Sequence, residues 1–309
     1  LAQDQVVRSE PLTNMAVDFR PGNLKAQEIF VPIHVLKEIG DYPVFQKDMF
    51  DTPDDTRSDG GESKPSSIGW NYVPYRCEEH ALHDFLTKRQ RDNASSQMDL
   101  EGRKARVIKR RVLNNLEARV FGPNGILRQT ANNGGSANYD LTNLSTASPR
   151  TMVRTAQNAV EGNCGTSPNT IALGKDVARH IMATEEFRKE YYGAAVIQNQ
   201  GNIELPEYLY GMKAVYVEAL VNTAKKGQAK TPVRLMSDDV WIGFVNPDID
   251  TEGGIQEEVT YGANFFTEEY AGMWWKDDNR ADKLEYGYIY VPQLVAKEAG
   301  YLCQSVLTA

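Results

Sequence analysis

The apolar positions of this chain change rhythm several times between its ends. Over residues 1–28, LAQDQVVRSEPLTNMAVDFRPGNLKAQE, Pro11, Pro21 and Gly22 interrupt any period and polar groups are scattered, so an extended arm without its own core is expected. IFVPIHVLK then reads as a short apolar strand. YPVFQKDMF, with Tyr42, Val44 and Phe45, and IGWNYVPYRC, with Ile68, Trp70, Tyr72 and Val73, alternate imperfectly and predict two paired strands. Between them lies DTPDDTRSDGGESKPSS, where Pro53, Gly60, Gly61 and Pro65 break any regular structure. So long and polar a tip cannot bury itself and is expected to be mobile or docked on another surface.

From Glu78 the pattern reads as helical, EEHALHDFLTKRQ placing Ala81, Leu82, Phe85 and Leu86 on one side. A longer helix is predicted from about Met98, with Asp99 as its cap, through DLEGRKARVIKRRVLNNLEARVFG to a stop at Gly122-Pro123. Ala105, Ile108, Val112, Leu116 and Val120 form its apolar stripe. After the Gly/Asn-rich loop QTANNGGSANYD, SPRTMVRTAQNAVEG predicts a helix, NTIALG a buried strand and KDVARHIMATEEFRKEYYG another helix. AVYVEALVN and VWIGFVN add strands, and the aromatic segment after Gly253 is strand-like to the end. A mixed sheet with covering helices follows, in an α+β chain without internal repeats.

Charge changes this picture locally. The 309 residues carry a net charge of -8, yet Arg103, Lys104, Arg106, Lys109, Arg110, Arg111 and Arg119 stand on the long helix against only Glu101 and Glu117. The acidic counterpart is the tip, with Asp51, Asp54, Asp55, Asp59 and Glu62. An acidic tip of one subunit lying on the basic helix of another would satisfy both features, through Arg103, Arg106, Lys109 and Arg110 as the inter-subunit cations. A nucleic-acid-binding reading of helix 103–119 is the competitor; the acidic total and the lack of interleaved aromatics on the helix argue against it.

Candidate chemistry is sparse. Cys77, His80 and His83 would share a helical face, but no fourth ligand of matching spacing accompanies them. Asp248, Asp250, Glu252 and Gly253 imitate the start of a calcium loop that then has Val259 where a bidentate glutamate belongs. No nucleophile elbow, phosphate-binding loop or dinucleotide fingerprint occurs, so no enzyme, cofactor or metal site is expected. Cys77, Cys164 and Cys303 are too few and too dispersed for a disulfide framework. No apolar run reaches the roughly 20 residues of a membrane span and the first residues show no charged-then-apolar pattern, so neither a membrane span nor a targeting segment is expected. Leu1 is not a residue behind which an initiator methionine is trimmed, so a processed start is expected.

The order of these elements resembles the major capsid protein of tailed bacteriophages, the Hong-Kong-97-type fold shared with encapsulin shells. The resemblance is carried by IFVPIHVLKEIGDYPVFQKDMF, YVPYRCEEHALHDFLT with RDNA and MDLEGRKA behind it, SPNTIALGKDVARHI and LVAKEAGYLCQSVL, and it covers nearly the whole chain. It implies an N-arm and lead-in strand over 1–40, an extended two-stranded loop over 41–77 and a peripheral domain with a spine helix over 78–147. An axial domain over 148–250, a peripheral sheet over 251–297 and a return to the axial domain over 298–309 complete it. It further implies self-assembly through pentamers and hexamers into an icosahedral virion head around double-stranded DNA, which the chain would contact weakly and non-specifically. Assembly in the host cytoplasm, a scaffolding protein or processed N-terminal segment, a portal and a decoration protein belong to the same expectation, with no membrane partner. An encapsulin-type compartment is the alternative. Lys47 and Lys64 are candidate loop lysines for an inter-subunit crosslink to Asn264 or Asn279, but no diagnostic motif fixes them and none is expected.

Overall fold

The computed structural model describes residues 19, 22–52, 55–57, 62–63, 71–94, 99–191, 205–222, 224, 227–229, 232–249, 259–277 and 279–307. Two sheets organise these residues. In the first, Phe30–His34 runs parallel to the long strand Gly262–Lys276. That strand forms an antiparallel hairpin with Ala281–Leu294, whose far edge takes Glu78–Thr87. Leu100–Phe121 lies across this sheet, and its Ala105, Ile108, Val112, Leu116 and Val120 are all buried, as the stripe predicts. Asp99 caps it by accepting from the Gly102 N–H at 2.9 Å.

The second sheet has six strands in the spatial order Gly135–Asn138, Gly300–Gln304, Val240–Gly243, Thr170–Gly174, Met212–Val217 and Tyr208–Leu209. Thr170–Gly174 is buried at every position, which explains its continuous apolar run. Pro149–Cys164 packs on Val240–Gly243 and Gly300–Gln304, and Lys175–Ala183 on the strands at the other end. Gly174 is required where the chain leaves its strand, because a Cβ there would sit 1.8 Å from the Met236 carbonyl oxygen. Gly165 ends the helix with φ 68°, the left-handed cap that glycine adopts without strain.

Three expectations change. The segment expected as a helix from Glu78 is instead the strand Glu78–Thr87, paired along its length with Ala281–Leu294; helix begins only at Lys88–Asp92, behind the capping box of Thr87 and Gln90. Tertiary pairing overrides the helical preference of Glu, Ala and Leu. Gly135–Asn138, inside the segment expected as a Gly/Asn-rich loop, is a strand that pairs parallel with Gly300–Gln304. Thr184 splits the helix expected over 175–193 into Lys175–Ala183 and Glu185–Tyr191. The paired strands of the arm are observed as Ile39–Val44 against Asn71–Arg76, with Tyr42 opposite Val73. Residues 1–18, Asp54, Asp59, Lys64 and the 250–258 part of the calcium-like segment lie outside the described residues.

Candidate functional site

The long helix separates its cations into two groups. Arg103 and Arg110 are exposed and make no ion pair among the described residues, whereas Arg106 stands 3.9 Å from Asp99. Arg111 is exposed beside Asp84, whose carboxyl burial raises but Lys104, the Phe85 N–H and Arg111 together hold below its ordinary value. Lys104 serves Asp84 at 3.0 Å and the Phe85 carbonyl. Arg119 donates to the Tyr290 hydroxyl and approaches His80 Nδ1 at 3.3 Å.

Lys109 departs from the expectation of an inter-subunit cation. It is 3% exposed, and its ammonium donates to Glu269 Oε1 at 2.6 Å, while the Tyr286 hydroxyl donates to the same oxygen at 2.8 Å. Position 109 follows the buried Ile108, so the lysine points along the inner edge of the helix toward the hairpin. Burial of the charge requires that partner. The exposed basic face therefore consists of Arg103, Arg110 and Arg111, with Arg106 half-buried at its margin and Arg119 exposed but engaged by Tyr290.

On the arm, Asp51, Asp55 and Glu62 are exposed, which leaves their charges available to a second surface. The root of the arm is fixed within its own chain. Tyr75 stacks on Phe265 with ring centres 4.8 Å apart, Tyr42 meets both rings at a tilt, and the Phe45 N–H donates to the Val295 carbonyl. Lys47 Nζ donates to Asn163 Oδ1 at 3.0 Å, and Phe50 faces both Phe45 and Gly165 at the helix end. The acidic segment therefore departs from a rigid base.

Glu117, counted by sequence among the charges of the polar side of the helix, is instead 2% exposed and joins the helix to the start of the chain. One carboxyl oxygen accepts from the Ala26 N–H at 2.6 Å, and the other has no hydrogen-bond partner. Desolvation pushes its pKa up to about 7, against the smaller lowering effects of the Ala26 and Lys25 backbone amides and the Lys25 charge. A cavity of about 480 Å³ adjoins it, lined in part by Lys25, Glu28, Lys109, Glu269 and Tyr288. The available signal is position 117 itself, four residues beyond the buried Leu113.

The metal-like triplet is dispersed by the strand. Cys77 is buried with its thiol on the Phe265 carbonyl, His80 lies on Arg119 and Tyr290, and His83 packs against Phe85. Asn264, a candidate crosslink partner, is buried with its amide donating to the Tyr288 hydroxyl. Sequence reasoning also missed Arg128, which reaches Asp239 and Asp238 and donates to the Leu235 carbonyl, tying the segment after the long helix to the six-stranded sheet.

The arm, the long helix and the two sheets follow one another in the order of a Hong-Kong-97-type capsid protein, and the chain has that fold. Among solved structures it is similar to a phage-related protein from Bordetella bronchiseptica RB50, with TM-score 0.72 and 18% identity over 98% of this chain and 99% of that one. The capsid of a native GTA particle matches with TM-score 0.60 and 11% identity over 99% and 95% of the two chains. An encapsulin complex from Synechococcus elongatus PCC 7942 matches with TM-score 0.56 and 11% identity over 93% and 88%. No family model and no curated protein matches the sequence.

Proposed function

We propose that this chain is the structural major capsid protein of a tailed bacteriophage, assembling through pentamers and hexamers into an icosahedral shell around double-stranded DNA. The observation that carries the reading is correspondence over nearly whole chains: a phage-related protein, a Microbacterium phage protein and a GTA capsid protein match 98%, 93% and 99% of this chain. It acts as a structural protein without a catalytic site. In this reading residues 1–40 form the arm and lead-in strand, 41–77 the extended loop, and 251–297 with the long helix the peripheral unit. The six-stranded sheet forms the axial unit to which 298–309 return.

The acidic tip, through Asp51, Asp54, Asp55, Asp59 and Glu62, lies on Arg103, Arg106 and Arg110 of the neighbouring copy. Lys109 is left out because Glu269 already neutralises it. Reversing Asp54, Asp55 and Asp59 to lysine is expected to reduce assembly strongly at low salt, as light scattering would show. Unchanged assembly and particle stability would remove the tip-on-helix contact from the account. Scaffolding, portal and decoration partners, assembly in the host cytoplasm and weak non-specific contact with packaged DNA belong to the same proposal.

A second reading is supported by the similarity to an encapsulin, namely a shell that encloses a protein cargo. Nuclease treatment of purified particles separates the two. Double-stranded DNA that survives until the shell is disrupted is the expected result; a co-purifying enzyme in its place supports the compartment.

A further inference from the structure

The longest hairpin ends in two tryptophans that face opposite ways. Beyond a bulge at Thr267, Gly262–Lys276 and Ala281–Leu294 pair without interruption from Glu268 with Ile289 to Lys276 with Ala281, and Arg280 closes the turn with φ 45°. Trp274 lies half-buried beneath the Lys283 ammonium, 4.5 Å from the ring centre, while Trp275, on the opposite face, is left 50% exposed. The Trp275 indole N–H donates to Asp277 Oδ1 at 2.6 Å, so the ring is held in place before any partner arrives. A large exposed aromatic fixed at the end of a hairpin is the usual chemistry of an interface anchor.

The same end of the sheet carries a cleft that suits it. About 550 Å³ of open space lies between Leu86, Ala94 and Leu100, with Arg89, Gln90 and Lys104 also lining it. Trp275 pairs with Asp282, which pairs with Leu86, so knob and cleft lie in one row of the sheet, roughly 10 Å apart at two strand spacings. Yet Trp275 does not line the cleft of its own chain. Charge matches as well. Lys88 and Arg89 are exposed and have no ion pair among the described residues, whereas the hairpin end presents the exposed Asp277, followed in sequence by Asp278. The acidic arm tip could answer those cations, but DTPDDTRSDGGESKPSS has no large apolar side chain to fill an apolar cleft.

We propose that Trp275 of one copy of this chain seats in the Leu86, Ala94 and Leu100 cleft of the next copy, with Asp277 beside Arg89. This deepens the assembly reading and rests on it. The knob and the cleft are different surfaces, so repeating the contact by rotation joins neighbouring copies into closed arrays.

Trp275→Ala empties the knob and Ala94→Trp fills the cleft. Each is expected to raise the protein concentration at which shells form by about tenfold or more, as expected for loss of an interfacial anchor, with the melting temperature of the unassembled chain unchanged. A third variant does not depend on the knob: Asn93→Cys with Asn279→Cys places a thiol beside each surface, and the three native cysteines are buried. Oxidised shells of that variant should run as covalent multimers on a non-reducing gel, and neither single variant should. Shell formation by both Trp275→Ala and Ala94→Trp at the wild-type concentration overturns the contact, as does a disulfide confined within single chains. In either case wild-type shells leave the assembly reading standing. Absence of shells from the wild-type chain overturns that reading and this contact together.

Discussion

Replacing Glu117 by glutamine tests whether a buried carboxyl controls how the start of the chain is held. Burial raises this group from 4.5 to about 7, so the folded chain keeps its proton over a pH range in which the unfolded chain has lost it. The sign follows from linkage. Below about pH 4.5 both states are protonated and the group costs nothing; between 4.5 and 7 the unfolded state binds fewer protons, so stability falls as pH rises; above 7 the loss levels off. At 1.36 kcal/mol per pKa unit, the full loss is about 3 kcal/mol. The amide introduced by Glu117→Gln would still accept from Ala26 and cannot ionise. Denaturant unfolding of both proteins from pH 4.5 to 8 should therefore show the wild type losing about 3 kcal/mol relative to Glu117→Gln, nearly all of it below pH 7. Limited proteolysis should follow the same curve, with cleavage near Lys25 increasing toward alkaline pH in the wild type alone. A stability difference that stays flat with pH, or widens on acidification, would refute the reasoning.

Two further substitutions test internal polar contacts. Lys109→Met leaves Glu269 facing the helix without its cation and should destabilise the chain by about 3 kcal/mol; adding Glu269→Leu should recover most of that, and a double variant no better than the single would show that the pair is not the cause. Asn133→Ala strands the buried Trp241 indole N–H, 3.0 Å from Asn133 Oδ1, together with the Leu127 and Gln129 carbonyls. A loss of about 2 kcal/mol in thermal unfolding is expected, and a loss within 0.5 kcal/mol, roughly the effect of a neutral surface change, would contradict it.

The long helix was legible because every signal agreed: Asp99 as cap, a stripe at helical spacing and a Gly-Pro stop. Thr170–Gly174 was legible because a strand buried on both faces is apolar throughout. Glu78–Thr87 was not, since its residues prefer helix in isolation and only Leu86 is buried; what makes it a strand is Ala281–Leu294, some two hundred residues later in the sequence. Gly135–Asn138 failed similarly, its small polar residues becoming a strand only beside Gly300–Gln304. The acidic and basic surfaces were visible from charge alone, but charge could not separate Lys109, which is consumed by Glu269, from Arg103 and Arg110, which remain exposed. Glu117 and Trp275 carry no motif. Their meaning comes from burial in one case and exposure in the other: Glu117 is covered by the chain around Ala26, and Trp275 is left open at the end of its hairpin.

Electron microscopy of the purified protein over a range of salt concentrations tests the central claim most directly. The account predicts angular, closed shells of uniform size, enclosing double-stranded DNA when recovered from phage-producing cells. Small soluble species at every salt concentration, with tight binding of a monomer to short DNA, would contradict it and favour the basic helix as a nucleic-acid-binding surface.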